Sequence, residues 1–184
     1  AALEIAIRQG ADYAEIDVQR SGDGVAVVIH DADLMKMARE PHVVRKTDYA
    51  ILAQADIGRE FHPDFAGERL ARLSDFLQKA AGKIKLMIEL KYYGHDQYLE
   101  QRVIDIVEEM DMVNDIAIMS LKYEGIQKVR KLRPDWTIGL LSAQVLGNMN
   151  AIDADFLAVN ASMAKPAFIR TSQKAGKKVF VWTV

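Results

Sequence analysis

Short apolar runs rich in branched residues alternate along the chain with stretches whose apolar positions recur at helical spacing, the order expected of a parallel sheet with crossover helices. The runs predict strands over residues 13–19, 25–30, 84–91, 116–121, 137–141, 156–160 and 179–184. Between them, helices are expected over 73–81, 98–112, 123–132 and 164–175. The second of these carries Val103, Ile106, Val107 and Met110 on one face, and the third stops before Pro134. Residues 1–9 read as a further amphipathic helix ended by Gly10. The predicted fold class is therefore α/β.

One connection departs from the parallel pattern. Only residues 20–24 separate the first two strands, and a parallel crossover needs about a dozen residues, so this pair is expected to be a hairpin. Its Ser21-Gly22-Asp23-Gly24 turn suits a tight reversal and would set His30 roughly opposite Glu15. Residues 32–72 show weak periodicity, two prolines and many charges, and read as an insertion or long loop within a single domain covering 1–184. The chain opens inside a helix pattern and closes on an apolar run, so it reads as a fragment of a longer protein.

Composition narrows the chemistry. With 24 Lys+Arg against 26 Asp+Glu, the charge balance does not point to nucleic acid. The cysteine count is 0, which excludes disulfide scaffolds, thiolate zinc sites and cysteine nucleophiles and leaves the compartment undetermined. No apolar run approaches the ~20 residues that span a bilayer. Dinucleotide fingerprints, P-loops, zinc-helix motifs and serine elbows are missing from the sequence. Asn160-Ala161-Ser162 matches a glycosylation acceptor but falls at a strand end, and it is discounted.

Glu15 and Asp17 lie two apart on a strand, which points them to one face with carboxylates roughly 7 Å apart. They are either solvent-facing alternation or a pair sharing a cation. An interior strand of a parallel sheet favours the cation, because unpaired carboxylates there are costly. Glu89 and Lys91 repeat the spacing at the end of an apolar strand. They read either as a mutual salt bridge or as a third oxygen ligand beside a phosphate-binding ammonium. Three carboxylates without cysteine suit Mg²⁺ or Ca²⁺ better than zinc. His30, followed by Asp31, is either structural or a proton-transfer residue, while His42, His62 and His95 read as surface residues. Trp182 could floor a pocket or simply pack.

Together, residues 10–19, Asp23-Gly24, Val27-Val28-Ile29-His30-Asp31, Ile88-Glu89-Leu90-Lys91 and Val181-Trp182-Thr183-Val184 resemble the glycerophosphodiester phosphodiesterase family in order and spacing. Gly67-Glu68-Arg69, Gly125-Ile126, Arg133-Pro134 and residues 138–141 extend the likeness over nearly the whole chain. The resemblance implies a (β/α)8 TIM-type barrel, here incomplete at both ends, with a small subdomain inserted after the His-Asp pair and a site at the C-terminal strand ends. It implies Glu15, Asp17 and Glu89 as ligands of a divalent cation, Mg²⁺ or Ca²⁺, and His30 as general acid or base. It also implies Lys91 as a stabiliser of phosphate charge, and Trp182 is expected, with Lys91, to contact the substrate.

The reaction so implied is metal-dependent hydrolysis of a small-molecule glycerophosphodiester to glycerol 3-phosphate and an alcohol, within phospholipid and glycerol metabolism. The family's opening strand with its His-Arg pair falls before residue 1, so this stretch alone is expected to be a poor catalyst. Two alternatives stay open: a phosphodiester-binding barrel without turnover, and phospholipase-type cleavage through a cyclic phosphate. The 32–72 stretch looks most like members joined to a membrane domain, so any membrane association would come through a segment outside this sequence.

Overall fold

Val18 pairs with Val28 and Arg20 with Ala26 in antiparallel register, so the first two strands form the expected hairpin. The computed structural model describes residues 1–94, 98–144 and 147–183. His95, read above as a surface residue, and Val184, the predicted end of the last strand, lie outside them. The chain groups into two compact units, Ala1–Ile116 and Ala117–Val184.

The first unit runs α1 (Ala2–Arg8), β1 (Tyr13–Arg20), β2 (Ala26–Val28), α2 (Met35–Ala38), α3 (Tyr49–Leu52), α4 (Leu73–Ala80), β3 (Lys85–Leu90) and α5 (Leu99–Glu109). Gly24 takes φ +91 in the β1–β2 turn, a conformation that strains any residue with a Cβ. Ser21 and Gly24 close the turn through bonds from Ser21 N to Val25 O and from Gly24 N to Ser21 O. β1 also pairs with β3, in parallel, from Tyr13 with Lys85 to Val18 with Leu90. That register sets Asp17 directly beside Glu89. β3 is buried along its length after Lys85, as its apolar run requires. α4 and α5 are amphipathic, burying Leu73, Leu77 and Ala80 in one and Leu99, Val103, Ile106 and Val107 in the other.

Residues 32–72 are an ordered excursion with an apolar centre. Leu34, Val44, Leu52, Ala55 and Leu70 pack with Val27 and Ile29 of the hairpin. The excursion is tied to the turn of the hairpin, since Gly22 N donates to Thr47 O and Tyr49 N donates to Asp23 Oδ1. The Arg72 guanidinium lies 4.6 Å from the centre of the Tyr49 ring, whose hydroxyl donates to Leu70 O. Its regular pieces are single turns of three or four residues, which is why no periodicity betrays them in the sequence.

The second unit contains β4 (Ile116–Ser120, whose first residue closes the first unit), α6 (Tyr123–Leu132), β5 (Ile138–Ser142), β6 (Phe156–Asn160), α7 (Pro166–Lys174) and β7 (Lys178–Trp182). Its strands pair in parallel, β4 with β5, β5 with β6 and β6 with β7. Gly139 is required by close packing: a Cβ there would come within 2.1 Å of the Phe156 ring, which itself meets Phe180 edge to face at 5.2 Å. Asn160 Oδ1 accepts from Ser162 N, so the apparent glycosylation acceptor serves as a local cap of the turn that follows β6. Parallel strands joined through helices bear out the α/β expectation. Among the described residues, no helix is long and apolar enough to cross a membrane.

Candidate active site

The parallel register of β1 and β3 builds the site. Glu15 and Asp17 share a face of β1, and Glu89 reaches that face from the neighbouring position on β3. One carboxylate oxygen from each of the three lies within 4.8 Å of the others. This is closer than strand rise alone suggests, because the side chains lean toward one another. The Lys91 Nζ stands 3.4 Å from both Asp17 Oδ1 and Glu89 Oε1. The salt-bridge reading of Glu89 and Lys91 holds, and Asp17 shares the same ammonium.

Crowding of like charge dominates the electrostatics. Glu89 is only 5% exposed. Its carboxyl is pushed up to about 7, by burial first, opposed by Lys91 and reinforced by Asp17. Glu15 is also pushed up to about 7, by burial and then by the charges of Asp17 and Glu89, with Lys91 and His30 acting the other way. Because Glu15 is exposed on the surface of β1, repulsion from its two neighbours is the firmer of these causes. Burial works against the Lys91 ammonium, yet Asp17 and Glu89 outweigh it and raise its pKa. When all are ionised, three carboxylates and one ammonium leave two uncompensated negative charges. An all-oxygen donor set with that charge could hold a hard divalent cation, and the crowding is what such an ion would relieve.

His30 stands at the mouth of the hairpin. Its Nδ1 lies 2.7 Å from Asp31 Oδ1, while the side chain is 64% exposed. Asp31 thereby fixes the imidazole's orientation and leaves Nε2 free of that bond. The register runs one residue away from the expected opposition: Ile29 N donates to Asp17 O, which puts His30 level with Ile16 instead of Glu15. β2 also ends at Val28, short of the predicted residue 30. The reason is Gln19, buried on the same face of β1 as the acids, whose Nε2 donates to the carbonyls of Ile29, His30 and Asp31 at 2.9, 3.0 and 2.8 Å. The Tyr93 hydroxyl donates to the same His30 carbonyl at 3.0 Å. Neither residue was singled out from the sequence, although Gln19 continues the alternation of Glu15 and Asp17, and that third polar position was the available signal.

Of the other described histidines, His42 lies beside Glu40 and His62 beside Asp64. Trp182 is the last residue of β7 in the second unit, level with Asn160 and half-buried, and its Nε1 approaches Ala158 O at 3.4 Å. A small cavity opens beside the cluster, lined by Gln19, Arg20, Arg45, Lys91, Tyr92 and Tyr93.

Comparison with known proteins bears on this constellation. A glycerophosphodiester phosphodiesterase of Caldanaerobacter subterraneus subsp. tengcongensis is 29% identical over 197 residues, covering 100% of this chain and 78% of the relative. The crystal structure of a glycerophosphodiester phosphodiesterase from Agrobacterium tumefaciens matches with TM-score 0.80 and 29% identity, over 97% of this chain and 77% of that one. An Oleispira antarctica phosphodiesterase, solved with the product sn-glycerol-3-phosphate, matches with TM-score 0.89 at 23% identity, over 100% of this chain and 77% of that one, and this likeness supports the (β/α)8-type class. The sequence profile of the Glycerophosphoryl diester phosphodiesterase family aligns with residues 1–184, the span that carries the three carboxylates, Lys91 and His30, and the chain belongs to that family of phosphodiester hydrolases.

Proposed function

We propose that the protein hydrolyses glycerophosphodiesters to glycerol 3-phosphate and an alcohol in a metal-dependent reaction of phospholipid and glycerol metabolism. The observation that carries this reading is the convergence of Glu15, Asp17 and Glu89 around Lys91 in a member of this family. Glycerol 3-phosphate is the product held by the Oleispira antarctica phosphodiesterase, which supports the same half of the substrate here.

Glu15, Asp17 and Glu89 would hold Mg²⁺ or Ca²⁺ in this reading. A cation held there would neutralise charge at the phosphoryl oxygens and lower the pKa of the attacking water, whose proton would pass to solvent. Lys91, oriented by Asp17 and Glu89, offers an ammonium to the phosphoryl oxygens, where charge accumulates as the new P–O bond forms. The P–O bond to the alcohol breaks, and the departing oxygen takes its proton from the His30 imidazolium, which Asp31 orients and stabilises. Trp182 remains the proposed substrate contact of the second unit.

The test is hydrolysis of glycerophosphocholine by the full-length protein. Chelation of divalent cations is expected to abolish turnover, and Mg²⁺ or Ca²⁺ to restore it. His30→Ala is expected to lower kcat by about 10²- to 10⁴-fold. Turnover that survives thorough chelation overturns the metal assignment, and a His30→Ala variant of full activity removes His30 from the chemistry.

A further inference from the structure

We infer that Gln19 is a positioning residue of this active site, fixing through its side-chain amide the strand exit that carries His30, with Tyr93 as its second support. The inference rests on the reading of His30 as the proton donor to the leaving alcohol. Its basis is geometric. In an extended strand successive carbonyls point to opposite sides, so three consecutive carbonyls cannot converge on one atom unless the backbone curls. The carbonyls of Ile29, His30 and Asp31 all lie within 3.0 Å of the Gln19 Nε2. The amide has two hydrogens for three acceptors, so at least one is shared.

Gln19 is 3% exposed, and its amide nitrogen is turned to this arc. The His30 side chain is in the opposite situation. It is 64% exposed and its only described side-chain bond is to Asp31, itself on the same arc. With the imidazole largely exposed, its place is set by the backbone beneath it and by Asp31 on the same arc. That backbone is held by Gln19, two residues beyond Asp17 on the same face of the same strand. The proton donor and the acidic cluster are thereby referenced to one rigid element, as a site requiring sub-ångström placement demands. Tyr93, two residues beyond Lys91, adds a hydroxyl to the His30 carbonyl and links the arc to the segment following β3.

The experiment compares two leaving groups. Choline departs as an alkoxide and needs a proton, whereas p-nitrophenol departs as a stable phenolate and does not. With glycerophosphocholine, Gln19→Met, which keeps the length and removes the donors, is expected to lower kcat about ten- to a hundredfold with KM changed less than about twofold. With the p-nitrophenyl ester of glycerol 3-phosphate, the same variant is expected to stay within about threefold of the parent, because the displaced group is no longer used. In a His30→Ala background, Gln19→Met is expected to add no further loss, the non-additivity of residues acting through one group.

Equal losses on both esters, or a loss that adds fully to that of His30→Ala, would overturn the inference and leave Gln19 a support of the fold alone. Unimpaired hydrolysis of glycerophosphocholine by His30→Ala would instead overturn the underlying assignment of His30. Should Gln19→Met fail to fold, Tyr93→Phe carries the same test, because Tyr93 is exposed and its loss removes only a hydroxyl. It is expected to show a smaller decrease, about two- to fivefold, confined to the choline ester, and no selective decrease would overturn the inference.

Discussion

Tyr92 shows how much the site's surroundings depend on single polar contacts. Its hydroxyl donates to Glu100 Oε1 at 2.8 Å, and Glu100 is a 3%-exposed acid in the first turn of α5. Burial, and then the charge of Glu100, push the phenol's pKa well above its usual value, so it remains a donor throughout the working pH range. Tyr92→Phe keeps the ring and withdraws that donor from a buried carboxylate, and it is expected to destabilise the fold by about 1–3 kcal/mol in urea denaturation. A change below about 0.5 kcal/mol would show that the bond contributes little. This pair was invisible in the sequence, since eight positions separate its members and no motif joins them. Glu15, Asp17, Glu89 and Lys91 were legible because charges in strands that should be buried are conspicuous. Gln19 was not, because a neutral amide in an alternating strand looks ordinary until its acceptors are seen.

At the scale of elements, the sequence marked strands by composition and their ends by turn residues, and this worked best where local preference and packing agree. β6 and α6 have the predicted limits, and the parallel strands β3, β4, β5 and β7 are shifted by at most two residues where their ends are described. β2 is the instructive exception. Its apolar run continues to Ile29, but a side chain from another strand bends the backbone out of the ladder, an effect of tertiary structure that no local pattern carries. Residues 32–72 were opaque for the complementary reason, that single-turn elements have too few positions to show a period. Packing between strands supplies a further expectation. Gly139 lies opposite Phe156 in the β5–β6 register, and the ring occupies the space of any Cβ. Gly139→Ala is therefore expected to destabilise the protein by about 1–3 kcal/mol through displacement of Phe156 and of Phe180 behind it. Restoration of stability by Phe156→Leu in the same chain would identify the clash as the cause, and a neutral Gly139→Ala would refute it.

For the molecule as a whole, the acidic cluster couples stability to pH and to the bound ion. Glu89 and Glu15 have carboxyls raised from about 4.5 when unfolded to about 7 when folded. Between these values the folded state holds more protons than the unfolded one, so unfolding free energy falls as pH rises. Below about pH 4.5 both states are protonated at these groups and no penalty is felt; above about 7 both are ionised and the repulsion is fully present. Lys91, raised above its ordinary value, stays charged throughout that window and adds no slope there. The exposure of Glu15 gives solvent a share in screening it, so the combined effect is set on the order of 1–3 kcal/mol. Without divalent cations, the melting temperature is expected to fall by several degrees from about pH 5 to about pH 8. A divalent ion binds the ionised carboxylates, so its stabilisation grows across the same interval and is largest at the alkaline end. Glu89→Gln removes one of the raised carboxylates and a ligand together; it is expected to flatten the slope and to shrink the thermal shift produced by Mg²⁺ or Ca²⁺. Differential scanning calorimetry of both proteins at the two pH values, with and without the ion, checks each part. A parent melting temperature equally high at both ends in the absence of ion, or an ion-induced shift as large at pH 5 as at pH 8, would mean that the three carboxylates neither repel one another nor share a cation.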